Sequence, residues 1–191
     1  MESIDLPSAK IVENFAFDGC DELIYVEFGK NLESIGQTAF CNCALKWITI
    51  PLKGDLFTHD DVFAGCDDFH RVRLIGEALQ ETVDAFICDD WKNDMNQEID
   101  SIKQILPKVD PGDLNFGEEG DITMAIRDWI ERVRQKIIHY KVEHYRLLSL
   151  ASASLAHDLP NEIVIGNIFS FLQLPGYEFE GEGQNSANAR F

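Results

Sequence analysis

The sequence predicts an α+β chain in which a short solenoid with a parallel β-sheet precedes a long antiparallel helical hairpin and a short terminal helix. In the N-terminal part, a phrase containing Phe and Cys occurs three times, with Phe17, Phe40 and Phe63 spaced 23 residues apart. A fixed repeat of this length with one strand per unit is typical of a solenoid. After Gly76 the hydrophobic period changes from that of strands to that of helices.

Short alternating apolar runs predict the strands of the solenoid. One run follows each phrase, and Ile4-Asp5-Leu6 matches the same pattern at the front. Because side chains alternate along a strand, the first and third residues of each run point into the core. These inward residues are Val26, Ile48 and Val72, then Phe28, Ile50 and Leu74. The rings of Phe17, Phe40 and Phe63 are also expected to point inward and to stack along the axis.

The other side of these strands is the candidate binding surface, with two columns of side chains. The columns are Tyr25, Trp47 and Arg71, and Asp5, Glu27, Thr49 and Arg73. Tyr, Trp and Arg are the residue types enriched in binding hot spots. Every parallel sheet also has outward residues, and an aromatic ring beside an arginine can simply stack within the protein. Both interpretations stay open at this point.

Cys20, Cys43 and Cys66 recur at the same period as the phenylalanines. Neighbouring turns would place their Cα atoms about 5 Å apart, which is within disulfide range. We expect buried free thiols instead, because free cysteine is among the most buried residue types. The Cys41-Asn42-Cys43 segment lacks the second Cys or His pair that a zinc site requires, so no metal is predicted there.

The segment from Ile35 to Cys43, followed by Ile48-Thr49-Ile50-Pro51, resembles the BspA-type, or Treponema-type, leucine-rich repeat family. In that family a unit reads Ile, three variable residues, Ala-Phe, a small residue, Cys, and then an apolar strand ending in Ile-Pro. The resemblance covers residues 4 to about 76. It implies a leucine-rich-repeat solenoid over residues 1–76, with a small buried side chain at each Cys position.

Residues 77–106 are predicted to form a helix that caps the solenoid. This helix is either continuous or broken near Cys88-Asp89-Asp90. Its apolar stripe is Leu79, Val83, Ile87, Trp91, Met95, Ile99, Ile102 and Leu106. The Pro- and Gly-rich residues 107–121 predict a loop. Asp121 is a candidate N-cap for a long helix at residues 122–157.

The long helix carries an apolar stripe that predicts antiparallel pairing with the helix before it. The stripe is Ile122, Ile126, Trp129, Val133, Ile137, Tyr140, His144, Leu147, Ala151 and Leu155. His139 and Glu143 share a helix face, but no further ligand stands at matched spacing, so packing is predicted rather than a metal site. His144 is predicted to be a packed core histidine.

The C-terminal part carries two further resemblances. Residues 91–102 and 138–148 are similar to the helical tail of algal BspA-type repeat proteins, which brings no activity with it. Residues 158–173 predict a terminal helix, and the segment 159–172 resembles the start of an F-box. That segment gives the alternative function, an F-box-like ubiquitin-ligase adaptor. Residues 174–191 are expected to be a disordered acidic tail.

Charge and motifs narrow the function. With 34 acidic and 16 basic residues, the net charge of −18 argues against nucleic-acid binding and against anionic membrane surfaces. The N-terminus carries no secretory signal, and no apolar stretch reaches about 18 residues, so an intracellular, cytoplasmic protein with reduced thiols is expected. No catalytic constellation or cofactor motif stands out. The sequence therefore predicts a non-enzymatic protein–protein interaction module without a cofactor, whose partner it does not identify.

The first strand of the predicted solenoid has no cap. Ile4-Asp5-Leu6 matches a strand, but no capping element precedes it. An uncapped terminal repeat leaves apolar side chains and backbone groups open to solvent. We therefore expect marginal stability or self-association through the open N-terminal repeat.

Overall fold

The computed structural model describes residues 2–59, 61–76, 79–106, 121–155 and 174. Residues 107–120 of the predicted loop at 107–121 lie outside these residues, and so does the predicted terminal helix at 158–173 with its F-box-like segment at 159–172. The predicted tail beyond Leu174 lies outside them too.

The repeat part contains six strands. They are β1 (Ser3–Leu6), β2 (Ile11–Val12), β3 (Tyr25–Phe28), β4 (Ser34–Ile35), β5 (Trp47–Pro51) and β6 (Arg71–Ile75). Four of them form one parallel sheet in the order β1-β3-β5-β6. Val26 pairs with Ile4 on one side and Ile48 on the other, and Ile48 pairs with Val72. The parallel sheet and the register that the sequence predicts are therefore confirmed.

A second, smaller sheet lies elsewhere on the same coils and was not predicted. In it β2 pairs parallel with β4, and Val12 pairs with Ile35. Ile35 also forms an isolated parallel bridge to Phe57 in the next coil. Strands of two residues are too short to show an alternating pattern, so no periodic signal predicts them.

The turn before each Cys needs a left-handed backbone. Gly19, Asn42 and Gly65 occupy the same place in successive coils, with φ values of 69°, 52° and 70°. Glycine adopts this conformation without steric cost, and asparagine tolerates it better than most residues. Backbone hydrogen bonds join the coils beside this turn, for example from Gly19 N to Cys41 O at 2.8 Å and from Asn42 N to Ala64 O at 2.8 Å.

A column of stacked rings runs through the centre of the repeat part. Ring centroids are 5.1 Å apart for Phe17 and Phe40 and 5.8 Å apart for Phe40 and Phe63. The predicted stack is confirmed, and Phe69 extends it at 4.8 Å from Phe63. Phe40 and Phe63 are buried, whereas Phe17 at the front of the stack is half-buried.

The thiols of the repeat column tie each coil to the one before it. Cys43 Sγ donates to Phe17 O and Cys66 Sγ donates to Phe40 O, each at 2.9 Å. Both thiols are free and buried, as expected, while Cys20 in the first coil is half-buried. Interaction between the two neighbouring thiols lowers the pKa of Cys43 and raises the pKa of Cys66, which burial raises further.

Four helices follow the repeats in the described residues: α1 (Leu79–Asp84), α2 (Asp89–Asp100), α3 (Ile102–Ile105) and α4 (Asp121–Leu155). The chain leaves the helical conformation after Asp84 and resumes it after the N-cap Cys88, close to the predicted break. The prediction that Ile87 is buried is wrong. Ile87 is 41% exposed and Phe86 is 1% exposed, because a break in the helix resets the phase of the apolar stripe.

Helices α2 and α4 pack in antiparallel fashion, as predicted. Towards the start of α2, Phe86 contacts His144 and Trp91 stacks on Tyr140, with centroids 6.2 and 5.3 Å apart. Nearer its end, the carbonyl oxygen of Glu98 accepts a hydrogen bond from Trp129 Nε1 at 2.8 Å. The order of contacts along the two helices is thus reversed.

The apolar stripe of α4 is buried over its central part. Ile126, Trp129, Val133, Ile137 and His144 are all buried, so the predicted packing of His144 is confirmed. Ala151 is exposed, against the prediction. In the described parts of the chain, no helix has both the length and the apolar character needed to cross a membrane.

The long helix also contacts the repeat part. Arg127 Nη2 of α4 donates to the carbonyl oxygens of Phe57 and His59 at 3.2 and 3.3 Å. Apolar residues of both parts belong to one continuous buried cluster. The hairpin therefore packs onto the last coil of the repeats.

Candidate interaction surface

The outward side chains of the main sheet form the strand face, which consists of Tyr25, Glu27, Trp47, Thr49, Arg71 and Arg73. The parallel register places Trp47 between Tyr25 and Arg71. It also places Thr49 between Glu27 and Arg73. The structure thus brings together the six candidate residues in the two columns that the sequence predicts.

Tyr25 and Trp47 form an aromatic pair on this face. Their ring centroids are 4.9 Å apart and the ring planes differ by 8°, so the rings stack face to face. Both side chains are half-buried. Because the facing ring surfaces cover each other, the pair presents mainly ring edges outward, and ring edges carry partial positive charge.

Thr49 is not exposed, and the prediction is wrong for this residue. It is 1% exposed, and its hydroxyl has no hydrogen-bond partner among the described residues. Glu27 and Arg73 flank it in the register, and Arg73 Nη1 lies 4.0 Å from Glu27 Oε1. Two long side chains that approach each other across a short one leave it little access to water.

Arg71 differs from the other basic residues. It is exposed, and it is the one Lys or Arg of the described residues for which the structure shows no hydrogen bond, ion pair or ring contact of the side chain. Its neighbour on the strand, Arg73, has only the long contact to Glu27. An exposed ion pair of this kind contributes little and is easily exchanged.

A cluster of charged groups also lies between α2 and α4. This cluster was not predicted from the sequence. Glu98 accepts hydrogen bonds from Arg132 Nε at 3.0 Å and from Lys136 Nζ at 3.1 Å. Asp94 accepts one from Tyr140 Oη at 2.6 Å and pairs with Lys136 Nζ at 2.9 Å. The i, i+4 spacing of Asp94 and Glu98, matched by Arg132 and Lys136, is the signal that could have revealed it.

The pKa values of this cluster follow from these contacts. Tyr140 and Lys136 lower the pKa of Asp94. Partial burial works to raise the pKa of Glu98, but Arg132 and Lys136 hold it below its usual value. Burial and the bond to Asp94 raise the pKa of Tyr140 to about 12.

An open groove of about 640 Å³ runs along this cluster. It is lined by Glu98, Asp128, Glu131, Arg132, Gln135, Lys136, His139 and Tyr140. Both basic residues of its lining are paired with carboxylates of the hairpin itself. The cluster holds the two helices together, and the strand face is the stronger candidate for binding.

Metal-ligating side chains are not grouped in the described residues. No set of three or more His, Cys, Asp or Glu side chains there is placed to hold a metal ion. On the His139 and Glu143 face of α4, Glu143 pairs with Arg146, with Nη2 2.7 Å from Oε2. The centroid of the His139 ring lies 5.3 Å from that of Tyr140.

A comparison with protein-family models agrees with the repeat geometry. The model for the BspA type leucine rich repeat region matches residues 1–93 in six copies. The N-terminal part of this chain belongs to the BspA-type leucine-rich repeat family. No curated protein and no solved structure matches the chain significantly.

A surface such as the strand face is expected in a protein of the BspA-type leucine-rich repeat family. A solenoid stacks its units into a continuous sheet, whose outward side chains form an extended surface. The family thereby indicates a protein-interaction module. Its matched region runs past β6 into α2, so it includes the whole strand face.

Proposed function

We propose that this chain is a non-enzymatic protein-interaction module that binds its partner through the strand face. The observation that carries the proposal is the stacked pair of Tyr25 and Trp47 beside the unpaired Arg71. Binding hot spots are enriched in Tyr, Trp and Arg, and they combine partial burial with access from outside. The rings are held rigidly by their stacking, so little conformational entropy is lost when a partner binds.

The decisive residue is Trp47, because it lies between Tyr25 and Arg71. We expect Trp47→Ala to weaken partner binding by about 2 kcal/mol or more, the hot-spot threshold. The free energy of unfolding should change much less, because the side chain is only half-buried.

Proximity labelling in the native cell identifies the partner, and the same experiment with variants tests the surface. Proteins labelled by the unmodified chain should be lost with Trp47→Ala. They should be retained with Tyr145→Ala, which removes an aromatic ring that is 47% exposed on α4. Equal labelling by the two variants would show that the strand face is not the binding surface. If Trp47→Ala unfolds the chain, the aromatic column belongs to the core and the proposal fails.

A further inference from the structure

The distribution of charge on the strand face differs from that of the whole chain. The chain carries 34 acidic and 16 basic residues, for a net charge of −18. In the outward columns of the main sheet, Asp5 and Glu27 lie on β1 and β3, whereas Arg71 and Arg73 both lie on β6, so the basic charge is concentrated on β6. Arg71 is exposed and without a partner in the described residues, although acidic side chains outnumber basic ones about twofold in the sequence.

The two arginines are arranged to meet an extended chain. Arg71 and Arg73 are two positions apart on β6, so both side chains leave the same side of the strand, with Cα atoms about 7 Å apart. Carboxylates at alternate positions of an extended peptide have the same spacing. A guanidinium group binds a carboxylate through paired N–H donors, which makes arginine the preferred side chain for this contact.

The aromatic pair favours the same kind of ligand. Tyr25 and Trp47 cover each other's faces and present ring edges, whose partial positive charge attracts oxygen atoms. Glu27 lies on the other side of Thr49 from Arg73 and reaches Arg73 only at 4.0 Å. A carboxylate of a ligand therefore has to displace only a weak contact at Arg73 and none at Arg71.

We propose that the strand face binds an extended acidic segment of a partner protein. The carboxylate of one acidic residue binds Arg71, and the carboxylate of the residue two positions along the segment binds Arg73. This inference rests on the proposed function and names the chemistry of its partner. The partner's chain runs along β6 over the outward face of the sheet, and its acidic side chains point towards that face.

Three short peptides of alternating sequence test the proposal on the full chain by fluorescence anisotropy. One alternates Glu and Thr, one Gln and Thr, and one Lys and Thr. The overall charge of −18 favours the Lys peptide and repels the Glu peptide. Tighter binding of the Glu peptide than of the other two would therefore come from the local site. Tighter binding of the Lys peptide would overturn the proposal.

Two variants of the strand face should change the affinity for the Glu peptide in opposite directions. Arg71→Gln should lower it on the order of tenfold or more, which corresponds to the loss of a hydrogen-bonded charge pair. Glu27→Gln should raise it, because Arg73 is then released and a repelling carboxylate is removed. A gain of affinity cannot result from misfolding. Arg146→Gln is the control, since Arg146 is exposed and pairs with Glu143 on α4, and it should leave the affinity unchanged.

The outcomes separate this inference from the proposed function. If Trp47→Ala abolishes labelling of the native partner while Arg71→Gln has no effect and the Glu peptide does not bind, the partner is not acidic and only this inference fails. If the Glu peptide binds only after residues 175–191 are removed, the chain's own acidic segment with Glu178, Glu180 and Glu182 occupies the face. That result would also overturn the proposal of a partner protein.

Discussion

The repeat part and the helical hairpin are held together by different kinds of contact. In the repeats, backbone hydrogen bonds, stacked phenylalanines and thiol-to-carbonyl bonds recur from coil to coil. In the hairpin, a buried apolar stripe is combined with the carboxylates of Asp94 and Glu98 and the side chains of Arg132, Lys136 and Tyr140. The repeats therefore depend mainly on groups that stay neutral at ordinary pH, whereas the hairpin depends partly on ionised groups.

The largest expected effect is on the ring column of the repeats. Phe40→Ala should lower the free energy of unfolding by about 3–5 kcal/mol, because Phe40 is fully buried between Phe17 and Phe63 and its removal leaves a cavity. Urea unfolding followed by circular dichroism measures this. Phe15→Ala is the control, since that ring is 58% exposed, and it should change the stability by less than about 0.5 kcal/mol. Similar losses for both variants would show that the column does not carry the stability of the repeats.

The next effect separates backbone strain from contact between coils. Gly19→Ala and Gly65→Ala both place a side chain at a left-handed residue, which costs about 1–2 kcal/mol. A Cβ at residue 65 would also lie 2.5 Å from Asn42 Oδ1, whereas nothing lies within 4 Å at residue 19. We therefore expect Gly65→Ala to be the more destabilising variant in urea unfolding.

A double variant tests the cause of this difference. Asn42→Gly removes the oxygen that the new Cβ would meet. When it is combined with Gly65→Ala, the additional cost should disappear, so the two changes should be non-additive. Additive effects would contradict a clash between neighbouring coils.

A smaller effect concerns the ionised groups of the hairpin. Glu98→Gln should lower the stability at pH 7 by about 1 kcal/mol, because both partner cations are partly exposed. The folded-state pKa values of Asp94 and Glu98 are lowered, so their contribution is present above the unfolded pKa values of about 4 and is lost as the pH falls through the folded values.

Hydrogen exchange across a pH series checks this sign. Protection of the α2 and α4 amides, corrected for intrinsic exchange, should fall in acid below about pH 4, whereas that of the β3 and β5 amides should change less. The difference between the unmodified chain and Glu98→Gln should vanish in acid, because both side chains are then uncharged. Equal acid sensitivity of strands and helices would contradict the difference between the two parts.

The smallest effect on stability is expected at the front of the repeats. Ile11 and Phe15 of the first coil are 61% and 58% exposed, and β1 has a single strand neighbour among the described residues. We expect the 191-residue chain to self-associate through this end at micromolar concentration. Ile11→Lys should abolish association with a stability change of less than about 0.5 kcal/mol, as measured by sedimentation.

Leu150→Lys provides the matched control for this end. Leu150 is 56% exposed on α4, so the substitution adds the same charge at a similarly exposed apolar position in the hairpin. It should leave the association unchanged. Sedimentation of the unmodified chain as a stable monomer would contradict association through the first coil.

The fold of the repeats could be predicted closely because the same residue pattern occurs three times in the sequence. The column of Phe17, Phe40 and Phe63 and the strand register both follow from one fixed period. Thr49 was misplaced because its access to water depends on the long side chains of Glu27 and Arg73 in neighbouring strands, not on its own strand. A pattern within one strand gives its orientation and not the size of its neighbours.

The hairpin was predictable as a pair of stripes but not in its details. The stripe of α4 extends without a break from Ile126 to His144, so its buried face follows from helical periodicity. At the break between α1 and α2, Phe86 is buried and Ile87 is exposed. Helical periodicity predicts buried positions only within a continuous helix, because the geometry of a break cannot be read from the sequence. The pairs of Glu98 with Arg132 and Lys136 join residues 34 and 38 positions apart in the sequence. Predicting them requires the rotation and shift of α2 relative to α4.

The positions of the tryptophans place a fluorescence signal in each of the two parts of the molecule. The chain has three tryptophans, with Trp47 on the strand face and Trp91 and Trp129 in the hairpin. Trp129 is fully buried and its indole N–H is bonded to Glu98 O, so its emission should lie at short wavelength and resist a dissolved quencher such as iodide. Trp47 is half-buried, as Trp91 is, and is stacked on Tyr25, so part of the quenchable emission comes from the strand face and should respond when a ligand covers it. The unlabelled chain can therefore report binding at the strand face and loosening of the hairpin in the same cuvette.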